Sequence, residues 1–160
     1  MRGVVIGIGN DIMRDDAVGL RAARALASHP SLSPDVEVIE TGEMGLSLLD
    51  VLVNRDWVIF VDSVITGKKL VGYIHRIEGK DVMCYRSKNP HNMGLGEVLY
   101  IGNMLDLSLP DEVLIMAMEV RDNKHFGDEM TPEVGAGFTR FLNAVLGEVR
   151  KCTSMVSQRA

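Results

Sequence analysis

Cysteine, basic residues and long apolar runs are all scarce in this chain of 160 residues. The two cysteines, Cys84 and Cys152, fit no Cys-x-x-Cys or zinc-ligand spacing. That argues against a disulfide scaffold, a structural zinc module or a dithiol redox centre, and favours a reduced chain in the cytoplasm. No apolar run approaches the roughly 18–20 residues that span a membrane, and residues 1–9 lack the regions of a signal peptide. Lys and Arg number 17 against 22 Asp and Glu, a net charge of −5. With a pI near 5.3, the chain carries no electrostatic footprint for nucleic acid or an anionic membrane. Catalytic signatures are missing too. There is no GxSxG elbow, no base near Ser47, Ser63 or Ser87 in sequence and no P-loop, and Gly7-Ile8-Gly9-Asn10 lacks the third glycine of a dinucleotide fingerprint.

What is present is a regular alternation of strand and helix patterns. Val4–Ile8 and Val58–Asp62 are continuously apolar, as central strands covered on both faces are, and Val113–Met118 reads as a further internal strand. Val36–Thr41 and Val71–Ile77 alternate, which suits edge positions. Helical spacing appears in Asp15–Ser28, Leu46–Val53, Leu95–Leu105 and Pro132–Val149, the last with Thr131 as its expected N-cap. The order β-α-β-α-β-β-α-β-α implies an α/β fold: a five-stranded, mostly parallel sheet with helices on both faces. The link Thr66-Gly67-Lys68-Lys69 is too short for a crossover, so the strand at 71–77 is expected to run antiparallel to the one before it. Residues 1–151 read as one domain, able to bury roughly 68–70% of its unfolded surface. Residues 152–160 read as a flexible polar tail. No heptad stripe or apolar patch is legible, and a monomer is expected.

Three loops carry chemistry. Asp15-Asp16 follows the first strand where a helix should begin; one of the two suffices as a cap, which leaves the other to be explained. Asp62 ends a central strand, and would share the carboxyl edge of a parallel sheet with Gly9-Asn10. His91 lies in a turn-rich stretch before a helix, with His125 a lesser loop candidate and His29 and His75 read as surface residues. Two carboxylates and an imidazole would suit a first-row divalent ion with open coordination positions.

These motifs resemble a known family. GIGNDIMRDDAVG at 7–19 is similar to the opening signature of the nickel–iron hydrogenase maturation endopeptidases. The similarity continues through TGEMGL at 41–46, VIFVDSV at 58–64, NPHNMGLGEVL at 89–99 and TPEVGAG at 131–137. Ala17 stands where many members have Gly, and HFGDEMTPEV is longer than the family's usual stretch. The resemblance implies that Asp16, Asp62 and His91 are both the metal ligands and the catalytic residues. Asn10 and Gly42 match its substrate-positioning turns. It further implies cleavage of a short C-terminal peptide from a nickel-loaded hydrogenase large-subunit precursor. The nickel, or another first-row divalent ion in its place, would be borne by the substrate, and a water rather than an enzyme nucleophile would attack. Two rivals share features. A nickel-binding assembly chaperone would keep the ligands and leave the precursor uncut, and a peptidyl-tRNA hydrolase would need a basic face that this chain lacks.

Overall fold

Five strands form one sheet, whose ladders pair the backbone groups of the apolar runs away from water. The computed structural model describes residues 2–43, 45–82 and 94–159. The strands are β1 (Gly3–Ile8), β2 (Val36–Thr41), β3 (Trp57–Val64), β4 (Ile74–Glu78) and β5 (Glu112–Glu119). Their order across the sheet is β2-β1-β3-β5-β4, with every neighbouring pair parallel except β4–β5. The edge strands are the two that alternate in sequence, and the three continuous runs are internal.

Helices α1 (Val18–Ala27), α2 (Leu48–Leu52), α4 (Leu95–Met104) and α5 (Pro132–Arg159) cover the sheet, and a single turn, α3 (Gly79–Val82), follows β4. The period of two along each strand sorts the core. Val5, Ile59, Val61, Met116 and Met118 pack with α1 and α5. Val4, Ile6, Phe60, Ile115 and Ala117 pack with α2 and α4. On the first face α1 lies so close that a methyl group on Gly19 would come within 2.2 Å of the Ile8 carbonyl oxygen and 2.4 Å of that of Val61. Only a glycine fits there, and the contact fixes the start of α1 against the ends of β1 and β3.

Expectations in two regions need correction. The strand after β3 is antiparallel, but its neighbour is β5, which sits between it and β3. Residues 65–73 span the ~10 Å of two strand spacings, and the buried Glu119 at the end of β5 supports that crossing. Its carboxylate accepts the Thr66 amide at 2.7 Å, the Thr66 hydroxyl at 2.8 Å and the Gly67 amide at 3.0 Å. It also pairs with His75 Nε2 at 2.8 Å, so His75 is a half-buried structural partner rather than a surface residue. These bonds more than offset burial and hold the Glu119 carboxyl below its ordinary range.

The second correction is at the C-terminus, where α5 runs on to Arg159 instead of giving way to a polar tail at 152. Val149, Cys152 and Val156 continue the apolar stripe at helical spacing onto the core. Burial, with the nearby Glu148 carboxylate, pushes the unpaired Cys152 thiol up to about 11, which makes it inert. Cys84 lies outside the described residues. Among those described, no helix is long and apolar enough to cross a membrane.

Candidate active site

The chain leaves β1 toward β2 on one side and later adds β3 on the other, so the sheet's switch point lies between the carboxyl ends of β1 and β3. β1 pairs with β3 only as far as Gly7↔Val61, whereas the β3–β5 ladder continues to Val64↔Glu119. Asp62 and Ser63 therefore project beyond the end of β1, and the turn that follows β1 fills the space beside them. That turn begins at Gly9, whose φ of +154° a side chain rarely adopts and whose missing Cβ admits the Asp16 carbonyl oxygen. Asn10 continues it: its Oδ1 accepts the Ile12 amide at 3.2 Å and its carbonyl accepts the Met13 amide at 3.1 Å. Gly42, after β2, lies against the Gly9 carbonyl.

Residues Arg14–Ala17 form one turn of 3-10 helix ahead of α1, and this turn separates the two aspartates. Asp15 faces inward and is fully buried. Its carboxylate accepts the amides of Thr131 at 2.7 Å, Asp122 at 3.0 Å and Arg121 at 3.3 Å, together with the Thr131 hydroxyl at 2.9 Å. Asp15 is thus no helix cap; it is the anchor of the 121–131 loop. The Thr131 hydroxyl donates to Asp15, which ties the residue before α5 to the same anchor. We expect Asp15→Asn to destabilise the chain by about 2–4 kcal/mol, since an NH₂ would meet an array of donors. Urea unfolding measures this, and hydrogen exchange should show the 121–131 amides opening first. A change within about 1 kcal/mol would mean the loop is held elsewhere.

Asp16 faces the other way, half-buried toward β3. Its Oδ1 accepts the Ser63 hydroxyl at 2.9 Å, and its carboxylate also takes the Asn10 amide. Burial raises its pKa, and those two donors offset part of the rise. Asp62 is half-buried on the opposite face of β3, and its Oδ1 accepts the Ser63 amide at 2.7 Å. Burial pushes the Asp62 carboxyl up to about 7, against the pull of the Ser63 amide and with a further push from the charge of Asp16. Two carboxylates made costly to ionise thus flank one residue at the switch point, where an arriving cation would relieve both.

His91 lies outside the described residues, three positions ahead of Gly94, where the described chain resumes. Among the described residues no group of three or more His, Cys, Asp or Glu gathers as a metal site. Among the described residues His125 makes no hydrogen bond to the pair; it is exposed and holds Asp122 through Nδ1 at 2.8 Å, which draws the Asp122 carboxyl down to about 2. A cleft of about 500 Å³ runs beside it, lined by Arg14, Arg121, Lys124 and Thr131 among others.

The sequence pattern of the HycI hydrogenase maturation protease family matches residues 20–148. The chain belongs to this family. The hydrogenase 2 maturation protease of Escherichia coli is 29% identical over 153 residues, which cover 94% of this chain and 92% of that protein. The hydrogenase expression/formation protein HupD of Thiocapsa roseopersicina is 27% identical over 146 residues, covering 89% of this chain and 65% of that protein. In three dimensions the hydrogenase maturating endopeptidase HybD from E. coli superposes with a TM-score of 0.84 at 27% identity, over 94% of this chain and 93% of its own. This maturation protease is therefore a peptide hydrolase, which sets aside the tRNA hydrolase reading. Its switch-point carboxylates occupy the crevice where α/β enzymes keep their chemistry. Ser63, which sequence reasoning considered only as a nucleophile without a base, emerges as the residue between them. The signal was its position next to Asp62, but its contact with Asp16 crosses from β3 to the 3-10 turn and has no trace in local sequence.

Proposed function

We propose that this maturation protease removes a short C-terminal peptide from the nickel-loaded precursor of a hydrogenase large subunit, using Asp16, Asp62 and His91 to engage the precursor's nickel. The observation that carries this reading is the pair of partly desolvated carboxylates on either side of Ser63 at the switch point. Oxygen donors of this kind, with an imidazole, suit a first-row divalent ion, and a ligand set of three leaves positions for groups of the substrate. The metal is cargo of the substrate and reports that nickel insertion is complete. Another first-row divalent ion is the alternative occupant.

The chemistry is hydrolysis of one peptide bond. Water adds to the scissile carbonyl, its proton passes to a carboxylate, and the leaving amine takes a proton as the C–N bond breaks. Asp62, with a carboxyl near neutrality, is matched to that transfer. Asn10 and Gly42 shape the turns beside which the extended segment of the precursor would lie. The enzyme acts as a monomer in the cytoplasm, in keeping with its acidic composition and scarce cysteine.

Mass spectrometry of the precursor, with and without the protease, tests the reading. Loss of a single C-terminal peptide from nickel-loaded precursor, and none from the nickel-free form, is the expected result. An intact precursor in both states would leave the chain a binder of the subunit, and equal cleavage of both would remove nickel as the signal.

A further inference from the structure

We infer that Ser63 is a positioning residue, one that fixes Asp16 and Asp62 as single-oxygen ligands. This rests on the reading of the two aspartates as metal-facing. Ser63 is 7% exposed and held in the β3–β5 ladder opposite Met118. Because side chains alternate along a strand, its own points to the α1 face while that of Asp62 points to the α4 face. One residue thereby serves both carboxylates: the hydroxyl donates to Asp16 Oδ1 at 2.9 Å, and the amide donates to Asp62 Oδ1 at 2.7 Å.

Each bond engages Oδ1 of its carboxylate and leaves Oδ2 free of Ser63. The two cases differ in what mutation can remove. The amide on Asp62 belongs to the backbone and persists in any variant. Asp16 rides on a single 3-10 turn, and Ser63 supplies its side-chain hydrogen bond; without the hydroxyl only the Asn10 amide remains among the described residues. Ser63→Ala therefore frees the Asp16 carboxylate to rotate, while the strand and Asp62 stay as they are. The hydroxyl proton is committed to Asp16, which also explains why Ser63 is no nucleophile: among the described residues, no histidine is hydrogen-bonded to it.

The test is the affinity of the folded, metal-free chain for Zn²⁺, read by competition with a chelating dye, for the wild type, Ser63→Ala, Ser63→Thr and Asp16→Asn. Outer-shell partners of ligands are worth about 10–100-fold in affinity. Ser63→Ala is expected to weaken Zn²⁺ by that factor and Ser63→Thr, which keeps the hydroxyl, to restore it to within about threefold. On nickel-loaded precursor the same alanine variant should raise KM more than it lowers kcat. Wild-type affinity in Ser63→Ala alongside weak binding in Asp16→Asn would overturn the role of Ser63 alone. Equal losses in the Ala and Thr variants would overturn it too, by showing that the site senses shape and not the hydroxyl. If Asp16→Asn binds Zn²⁺ as the wild type does, Asp16 is no ligand and both readings fall.

Discussion

Asp16→Ala and Asp62→Ala are each expected to slow removal of the precursor's C-terminal peptide by about 10³-fold or more, while the fold survives. The size follows from what each carboxylate does. On the proposed reading, loss of a proton acceptor alone costs about 10²–10⁴-fold, and loss of one of three proposed ligands would also weaken the hold on the substrate's metal. The fold survives because neither side chain supports the core. Asp16 touches Ser63 and the Asn10 amide, and among the described residues Asp62 accepts only the amide of the next one. Single-turnover cleavage of nickel-loaded precursor, followed by mass spectrometry, gives the rate, and thermal unfolding checks the fold. His91→Ala belongs in the same series. A full-rate Asp16 or Asp62 variant would remove that residue from the mechanism.

Asp62→Asn is expected to stabilise the metal-free chain, and the gain should depend on pH in a definite direction. The folded-state pKa of about 7 lies above the ordinary 3.8, so between those values the folded chain holds a proton that the unfolded chain has released. Stability of the wild type must then fall as pH rises from about 4 to about 7, since folding there takes up a proton. Above 7 the full penalty of a buried, ionised Asp62 applies, with a ceiling of about 4 kcal/mol for a shift of roughly three units. Asparagine keeps the acceptor for the Ser63 amide and has no charge to bury. Urea unfolding of both chains at pH 5 and pH 8, with chelator present, should show a gap in favour of Asn that is larger at pH 8. An equal gap at the two pH values would show that burial does not raise this carboxyl.

The second prediction places a cost in the folded chain itself: a carboxylate withdrawn from water and unfavourable to ionise there. The contrast with the neighbouring anchor is instructive. Asp15 is more deeply buried than Asp16, yet four donors surround it. One aspartate is satisfied by the protein and holds a loop, and the next is left partly unsatisfied and faces the crevice. Arg24, which bridges Asp11 and Glu40, is exposed and adds little by comparison.

Five strands, four of the helices, the α/β class, the edge character of β2 and β4 and the acidic residues at strand ends are legible in the sequence; the continuation of α5 past 151 is not. The legible features are set by periodicity and by short-range turn chemistry, which local sequence records directly. The motif order 7–19, 41–46, 58–64, 89–99 and 131–137 also identified the family. Tertiary structure alone decided the rest. An aspartate that caps a helix and one that anchors a loop 106 residues away read the same in a linear sequence; only the 3-10 turn shows that Asp15 points in and Asp16 out. The partner of β4 was likewise hidden, because a short link restricts direction while the insertion of β5 depends on which strand buries both faces best. The role of Ser63 was hidden for the same reason. Its hydrogen bond spans 47 positions, and a contact that distant exists only once the switch point has brought the ends of β1 and β3 together.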